Sequence, residues 1–487
     1  MAETIVELFD DVLATDADRE AYVQPHSVDR VDSITFGELA QRAAALGKWL
    51  VDRGVKPGDI VAVMLPNSID YVIAYHAAIR AGAITTGINP RLGSSELEHI
   101  FAKVKPVHVF DGPLPDLPGG DPHWRVYEAK PTDPVTIVWT GGTTGLPKGA
   151  WFDHTCMKAY APGAPPLSQH GDRRILPLPF PHVGWMTRPW DELEHRITSI
   201  IAPTPWKPDV TLQLLESQRI TVCQGVPTQY RMLLDHPDFA ATDLSTLRIA
   251  GVGASRVPPD LVAEMRDKLG CPVVHRYAST EGSVATGTRL DDDPVTIATT
   301  VGRPNGDVQL KIVDDDGNEL PPNERGTICL KTRAMMRGYW EEPERTAEAI
   351  DADGWLHTGD LGWIGDDGNL RIAGRRTEMY IRGGYNVYPI EVENLLADYP
   401  GIAQAAIIGC DVADRLGEIG VLIAVPHPGA TLDIIGIRSF VKERLADYKA
   451  PDVLVTTDEF PLTSIGKINK VAMKPLADQA AAQWRRP

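Results

Sequence analysis

The segment Trp139-Thr-Gly-Gly-Thr-Thr-Gly-Leu-Pro-Lys-Gly-Ala150 follows directly on the apolar run Thr136-Ile-Val-Trp, which reads as a short buried strand. Glycines and threonines packed this densely supply unobstructed backbone N–H groups and short hydroxyls. Lys148 adds a positive charge. That combination can wrap phosphate oxygens closely. It is not a Walker A loop, which needs Gly before the lysine and Ser or Thr after it. Here Pro147 precedes Lys148 and Gly149 follows it. A flexible surface loop seldom concentrates phosphate-binding chemistry to this degree, so the segment is read as a phosphate loop.

Outward from that loop, strand-like and helix-like runs alternate. Asp59-Ile-Val-Ala-Val-Met-Leu65 reads as a buried strand, and the stretch from Ser68 to Ala81 as an amphipathic helix capped by Ser68 or Asn67. Short strands are also expected at 83–88, 106–110, 174–178, 222–226, 247–250 and 272–275. This alternation predicts an α/β fold with mostly parallel sheets. After about residue 300 the style changes. Val308–Val313 and Gly326–Lys331 flank Asp315-Asp-Gly-Asn, and Asp366-Asp-Gly-Asn precedes Leu370-Arg-Ile-Ala, which predicts antiparallel strands and turns. From Pro389 the order is helix, strand, strand, helix, strand, a compact unit of its own. The tail from Ala477 is short, polar and rich in Ala and Gln, and fraying is expected there.

The chain has 487 residues and a formal charge of −18. The length is ample for about three domains. The acidic balance excludes broad nucleic-acid binding but not small anionic ligands in local basic pockets. Five cysteines, at 156, 223, 271, 329 and 410, form no CxxC pair, so no zinc or redox signature is present. They read as small buried hydrophobes. The acidic N-terminus lacks the basic start and apolar run of a signal peptide. A cytoplasmic protein without a membrane span is expected.

Four further motifs lie in order after the loop. The first two are Arg276-Tyr-Ala-Ser-Thr-Glu281 and Trp355-Leu-His-Thr-Gly-Asp-Leu361. The third is Gly374-Arg-Arg-Thr-Glu-Met-Tyr-Ile-Arg-Gly-Gly-Tyr-Asn-Val-Tyr-Pro-Ile-Glu-Val-Glu393, and the fourth Pro461-Leu-Thr-Ser-Ile-Gly-Lys467. Together with the loop they resemble the adenylate-forming superfamily of acyl-CoA synthetases, adenylation domains and luciferases, over essentially the whole chain. The chain is most similar to bacterial ligases of fatty or steroid-derived acids. Two departures stand out: Gly142 where the family usually has Ser, and Ala278 where it has Gly.

The resemblance implies a large N-terminal domain, residues 1–376, made of two α/β sheet lobes plus a β-barrel-like lobe. A small mobile α+β lid, residues 377–487, would carry the catalytic lysine. It implies that Thr140, Gly141, Gly142, Thr143, Thr144, Gly145 and Lys148 hold phosphate. Tyr277 would pack by the adenine, with Ala278 and Ser279 beside it. Thr280 would contact phosphate and Glu281 would help hold Mg²⁺, as a hydroxyl and a carboxylate suit those tasks. Asp360 would accept from both ribose hydroxyls, and Arg375 would contact ribose and phosphate. Gly383 and Gly384 would let the pantetheine of coenzyme A pass close to the backbone. Lys467 would bridge the substrate carboxylate and the α-phosphate. Thr377 falls at the hinge, where relatives more often carry Asp or Lys.

At the acid end, Pro177-Leu-Pro-Phe-Pro-His182 resembles the entrance to the carboxylate pocket. Amino-acid-activating relatives place an Asp near position 182, so an amino acid substrate is disfavoured. His182 is read as a gate between acyl and pantetheine channels, with a core histidine as the alternative. Gly253 and Ala254 would lie near the adenine and acyl group. Leu247-Arg-Ile-Ala-Gly-Val-Gly-Ala-Ser-Arg256 nearly matches a dinucleotide fingerprint, but Arg256 occupies the sixth position. Trp185, Met186 and Trp190 face either a large flat hydrophobe or the core.

The implied activity is ATP-dependent, AMP-forming ligation of a hydrophobic acid to coenzyme A. The acid is a medium- or long-chain fatty, alicyclic or steroid-derived one. The implied partners are a small carboxylic acid, ATP, CoA and Mg²⁺, without nucleic acid; a homodimer stays open. The alternatives are acyl loading of a carrier protein, an aromatic-acid CoA ligase, a dinucleotide-dependent oxidoreductase and an inactive regulator.

Overall fold

A computed structural model describes residues 2–26, 30–140, 147–164, 166–203, 206–253, 257–382, 385–412, 416–463 and 468–485. They form two compact units. The first comprises Met1–Leu310 and Leu330–Thr358, and the second Lys311–Cys329 and Gly359–Pro487. The expected boundary at 376–377 thus falls inside the second unit.

The first unit is α/β, as expected. A six-stranded sheet runs in the order Gly338–Tyr339, Lys148–Asp153, Pro134–Thr140, Ile84–Gly87, Ile60–Val63, His108–Phe110. Its last four strands are parallel. Ile60–Val63 and Ile84–Gly87 are buried at every position; the first is an unbroken apolar run, and in the second the Thr85 and Thr86 hydroxyls donate to the Val135 and Ile137 carbonyls. Between them in the chain lies the helix Ile69–Arg80, capped by the Ser68 hydroxyl, which accepts from the Tyr71 N–H at 3.1 Å. Nearly all of that helix is buried. The expected amphipathic pattern is thus corrected to a helix buried nearly all round, with His76 and Arg80 buried too and Arg80 donating to the Trp124 carbonyl at 3.1 Å.

A nine-stranded sheet carries the other lobe. Its order is Arg303–Pro304, Ser283–Gly287, Val273–Ser279, Ile249–Gly253, Val222–Gly225, Arg173–Leu176, Thr198–Ile201, Glu20–Pro25, Val31–Thr35. The six strands from Val273–Ser279 to Glu20–Pro25 are parallel. The pair Gly251 and Gly253 lies within a strand that is paired on both sides, and the next helix starts only at Pro259. A dinucleotide fingerprint needs its glycines in the strand-to-helix turn, so that alternative is not supported by the backbone.

Trp185, Met186 and Trp190 belong to the core. Trp185 stacks on Phe180 at 4.5 Å and meets Tyr71 and Tyr75 edge-on. Met186 sulfur accepts from the Tyr71 hydroxyl at 3.3 Å. All three are nearly inaccessible, so they do not line an open acyl site. The five cysteines are free and buried. Burial pushes the Cys223 thiol up to about 11, as befits an inert core residue.

The second unit contains most of a four-stranded sheet, in the order Gln309–Val313, Gly326–Lys331, Leu356–Ile364, Leu370–Arg375, whose last two strands pair antiparallel. Both expected turns are present: Asp314 accepts from the Asp316 and Asn318 N–H groups, and Asp367 from that of Asn369. Ile402–Asp411 pairs antiparallel with Glu418–Pro426, and the latter parallel with Val453–Thr456. The tail corrects the expectation of fraying. Lys470–Gln483 is a helix, with Met473, Ala477 and Ala481 buried against Ile419 and Val421. Small residues four apart give this helix a flat face that can approach the sheet closely.

The core also holds charge. Arg174 and Asp191 pair at 3.0 Å with neither side chain exposed. Arg174 also donates to the Leu167 carbonyl at 3.0 Å. Burial alone would raise the Asp191 carboxyl, but Arg174, His195 and Arg188 outweigh it and hold it at about 2. Replacing Arg174 by Met strands that carboxylate, at an expected cost of about 3–5 kcal/mol in urea unfolding at pH 7. In the wild type the pair's contribution is present above the unfolded carboxyl value and is lost as pH falls towards 2. In Arg174→Met the buried carboxyl is raised instead, so protonation relieves it. The deficit against wild type is therefore expected to narrow between pH 7 and pH 4.

Candidate active site

The phosphate-loop segment joins two antiparallel strands, with Thr140 directly opposite Lys148. Gly141, Gly142, Thr143, Thr144 and Gly145 lie outside the described residues. The loop's return is anchored where His99 Nε2 meets the Pro147 carbonyl at 3.1 Å. Gly149 must be glycine on spatial grounds. A Cβ there would stand 2.8 Å from Ile137 and 3.3 Å from the Trp139 ring.

Thr280 and Glu281 sit in the tight turn joining the antiparallel strands Val273–Ser279 and Ser283–Gly287. The turn is closed by the Gly282 N–H donating to Ser279 Oγ at 2.9 Å. Tyr277, Ser279, Thr280 and Glu281 are half-buried, and Ala278 is exposed. The strand Ile249–Gly253 runs parallel alongside, with Gly253 opposite Arg276. A Cβ at Gly253 would meet the Arg276 carbonyl oxygen at 2.9 Å, so no side chain fits there. Its neighbour Ala254 lies outside the described residues.

Tyr339 joins the two motifs and was not singled out from the sequence. Its hydroxyl donates to Glu281 Oε1 at 2.9 Å and lies 3.4 Å from Lys148 Nζ. The ammonium also stands 4.7 Å from the centre of its ring, a cation–π distance. Burial and the Glu281 carboxylate hold the phenol proton well above its ordinary value. Tyr339 thus interposes between a cation and an anion that would otherwise neutralise each other. Glu281 keeps its second oxygen available for a hard cation such as Mg²⁺, the donor type that ion prefers.

In the second unit, Asp360 lies opposite Arg375 across the antiparallel pair Leu356–Ile364 and Leu370–Arg375. Their side chains meet at 3.1 Å; the carboxylate is buried and the guanidinium half-exposed. Gly383, Gly384 and Lys467 lie outside the described residues.

His182 caps the short helix Val183–Met186: its Nδ1 accepts from the Gly184 N–H at 3.1 Å. It is half-buried. In the same lobe lies a small cavity of about 10 Å³, room for about one water, lined by Ile175, Pro177, Cys223, Gln224, Tyr230 and Leu233 among others. It opens at the carboxyl ends of Arg173–Leu176 and Val222–Gly225, on the same edge of the sheet as Gly253 and Tyr277. Ligands of parallel sheets bind at that edge. The Tyr230 hydroxyl lies 3.0 Å from the carbonyls of Cys223 and Gly251, fixing one wall. Gln224 Oε1 accepts from Arg188 at 3.0 Å, and Thr211 and Gln229 also line the wall.

The family model "AMP-binding enzyme" matches residues 9–340, and "AMP-binding enzyme C-terminal domain" matches 391–467. The chain belongs to the AMP-binding enzyme family. It is accordingly an ATP-dependent, AMP-forming acid–CoA ligase, in keeping with the CoA ligases among its relatives. A 3-[(3aS,4S,7aS)-7a-methyl-1,5-dioxo-octahydro-1H-inden-4-yl]propanoyl:CoA ligase of Mycobacterium tuberculosis is 36% identical over 91% of this chain and 94% of that one. A feruloyl-CoA synthase from Amycolatopsis is 32% identical over 93% and 96%. The crystal structure of ATP-bound MatB from Rhodopseudomonas palustris superposes with a TM-score of 0.88, at 28% identity, over 98% of this chain and 99% of that one. Among the described residues no helix is long and apolar enough to cross a membrane.

For this AMP-binding enzyme the Tyr339 bridge carries a prediction. Tyr339→Phe removes the hydroxyl but keeps the ring. The apparent KM for ATP, read by ATP–pyrophosphate exchange, is expected to rise several-fold. Stability should fall by no more than about 1.5 kcal/mol, the ordinary worth of one hydrogen bond.

Proposed function

We propose that the enzyme activates a bulky, ring-bearing hydrophobic carboxylic acid, alicyclic or steroid-derived, and transfers it to coenzyme A. The observation that carries this reading is the separation of Lys148 from Glu281 by Tyr339 at the mouth of the phosphate loop. A cation and a carboxylate kept apart in this way suit one phosphate chain and its metal ion. The bicyclic-propanoyl, feruloyl and indoleacetate relatives, all named for ring-bearing acyl groups, support the acid's class.

In the first half-reaction a carboxylate oxygen attacks the α-phosphorus of ATP. The bond to the bridging oxygen breaks and pyrophosphate leaves. Lys467 would hold the carboxylate and the α-phosphate together, and Thr140, Thr143, Thr144, Lys148 and Thr280 would orient the phosphates. Glu281 would hold Mg²⁺, which supplies charge neutralisation when bound. Tyr277 would lie against the adenine, and Asp360 and Arg375 would hold the ribose.

In the second half-reaction the CoA sulfur attacks the acyl carbon. The thiol proton passes to solvent, the bond to the phosphate oxygen breaks, and AMP leaves. A turn of residues 377–487 about Thr377 would withdraw Lys467 and present Gly383 and Gly384 to pantetheine. His182 would stand at the channel entrance. No protein nucleophile is required, since adenylation supplies the leaving group.

Two measurements test the reading. Pyrophosphate release across fatty, aromatic, alicyclic and steroid carboxylic acids is expected to be fastest with the fused alicyclic acids. A preference for cinnamic-type acids would instead favour the aromatic-acid reading, and turnover that consumes no free CoA would favour a carrier protein. Lys467→Ala is expected to lower adenylation at least about a hundredfold while sparing thioester formation from supplied acyl-adenylate. Equal loss of both would overturn the division of roles.

A further inference from the structure

The loop bearing Lys467 has a closed base. Leu462 and Ile468 form an antiparallel bridge, and the Asn469 N–H donates to the Pro461 carbonyl at 2.8 Å. The two ends of the loop are therefore held side by side. Asn469 also caps the helix Lys470–Gln483, accepting from the Ala472 N–H at 3.1 Å. The first residue of that helix, Lys470, reaches two carboxylates at once: Glu393 Oε1 at 2.8 Å and Glu378 Oε2 at 2.9 Å.

The two carboxylates differ in kind. Glu393 is largely buried on the helix Pro389–Leu396, and its Oε1 also accepts the Ile407 N–H at 2.6 Å, which fixes it to the central sheet of the lobe. Glu378 is exposed and ends the short turn Arg376–Glu378, next to Thr377. Burial would push the Lys470 ammonium down, but Glu393 and Glu378 outweigh it and raise it. The ammonium is thus permanently charged and spans three elements. A surface lysine paired with one carboxylate would contribute little; one pinned between a buried and an exposed carboxylate fixes direction.

We infer that Lys470 is a positioning residue for adenylation, tying the base of the Lys467 loop to the turn at Thr377 through Glu378 and to the body of the lobe through Glu393. The base of the loop, at Leu462 and Ile468, is then held to the turn and to the lobe, and both arms are needed to fix it. This rests on the roles proposed above for Lys467 and Thr377.

The test uses the full-length enzyme and both half-reactions. Glu378→Gln removes only the exposed arm and leaves the buried pair intact, so folding is preserved. Lys470→Met removes both arms, and Lys470→Arg keeps a cation. Pyrophosphate release is expected to slow about tenfold in Glu378→Gln and further in Lys470→Met, as a misaimed group costs rate rather than binding. The KM values for ATP and acid should stay within about twofold. Thioester formation from supplied acyl-adenylate should remain near wild type, and Lys470→Arg should recover most of the adenylation rate. A parallel fall of both half-reactions, or no change in either for Glu378→Gln, overturns the inference. If Lys467→Ala separates the half-reactions while Glu378→Gln does not, this inference alone fails. If Lys467→Ala does not separate them, the assignment of Lys467 fails and takes this one with it.

Discussion

A chain of net charge −18 that handles ATP and CoA must keep its positive charge local and available. On the phosphate-binding role proposed for Lys148, the contact that meets this constraint is its approach to Tyr339. Placed directly against Glu281, the ammonium would be attracted by several kcal/mol at the dielectric of a protein surface and would be neutralised before any phosphate arrived. Tyr339 offers the ammonium a ring face and a hydroxyl instead, and directs its own proton to Glu281. Neither is a full counter-charge. The same arrangement holds the carboxylate in place without consuming both of its oxygens.

Other cations of the molecule are treated differently. Arg174 is matched to Asp191 in the core, and Arg248 to Asp172. Arg382 and Arg438 share Asp452, and Lys470 is held by two carboxylates. Those charges are committed to architecture, whereas Lys148 is committed to nothing of opposite sign among the described residues. The difference between a cation committed to architecture and one left available is therefore visible in what surrounds each of them, not in residue type.

Much of this was legible in the sequence, for identifiable reasons. The strand Ile60–Val63 announces itself because residues buried on both faces must be apolar with little interruption. Asp360 and Arg375 sit in separate motifs whose pairing only the register of two antiparallel strands reveals. Tyr339 stayed hidden because its signal is not local. Its partners lie 58 and 191 residues away in sequence. The helices Ile5–Asp16 and Phe36–Asp52 lie outside the strand–helix alternation that was read, yet each opens with a Thr-x-x-Glu capping box, a signal that could have found them. Trp185 was ambiguous for a physical reason: an aromatic stripe is equally suited to a ligand and to Phe180, Tyr71 and Tyr75, and composition cannot say which partner it meets.

The C-terminal helix shows how composition can mislead. Ala, Gln and Asp residues near a terminus resemble a solvated tail, but Ala477 and Ala481 are small because the sheet lies directly beneath them. That packing has a consequence for the Lys467 loop. A frayed tail would leave the loop's trailing end free to sample many directions. A docked helix makes the base of the loop the end of a rigid rod, whose first residue is clamped to Glu393 and Glu378. On the role proposed for Lys467, part of the entropy of aiming it would then be lost during folding, before any substrate binds. This is why a stretch that looks expendable in the sequence can be part of what makes a single loop residue effective.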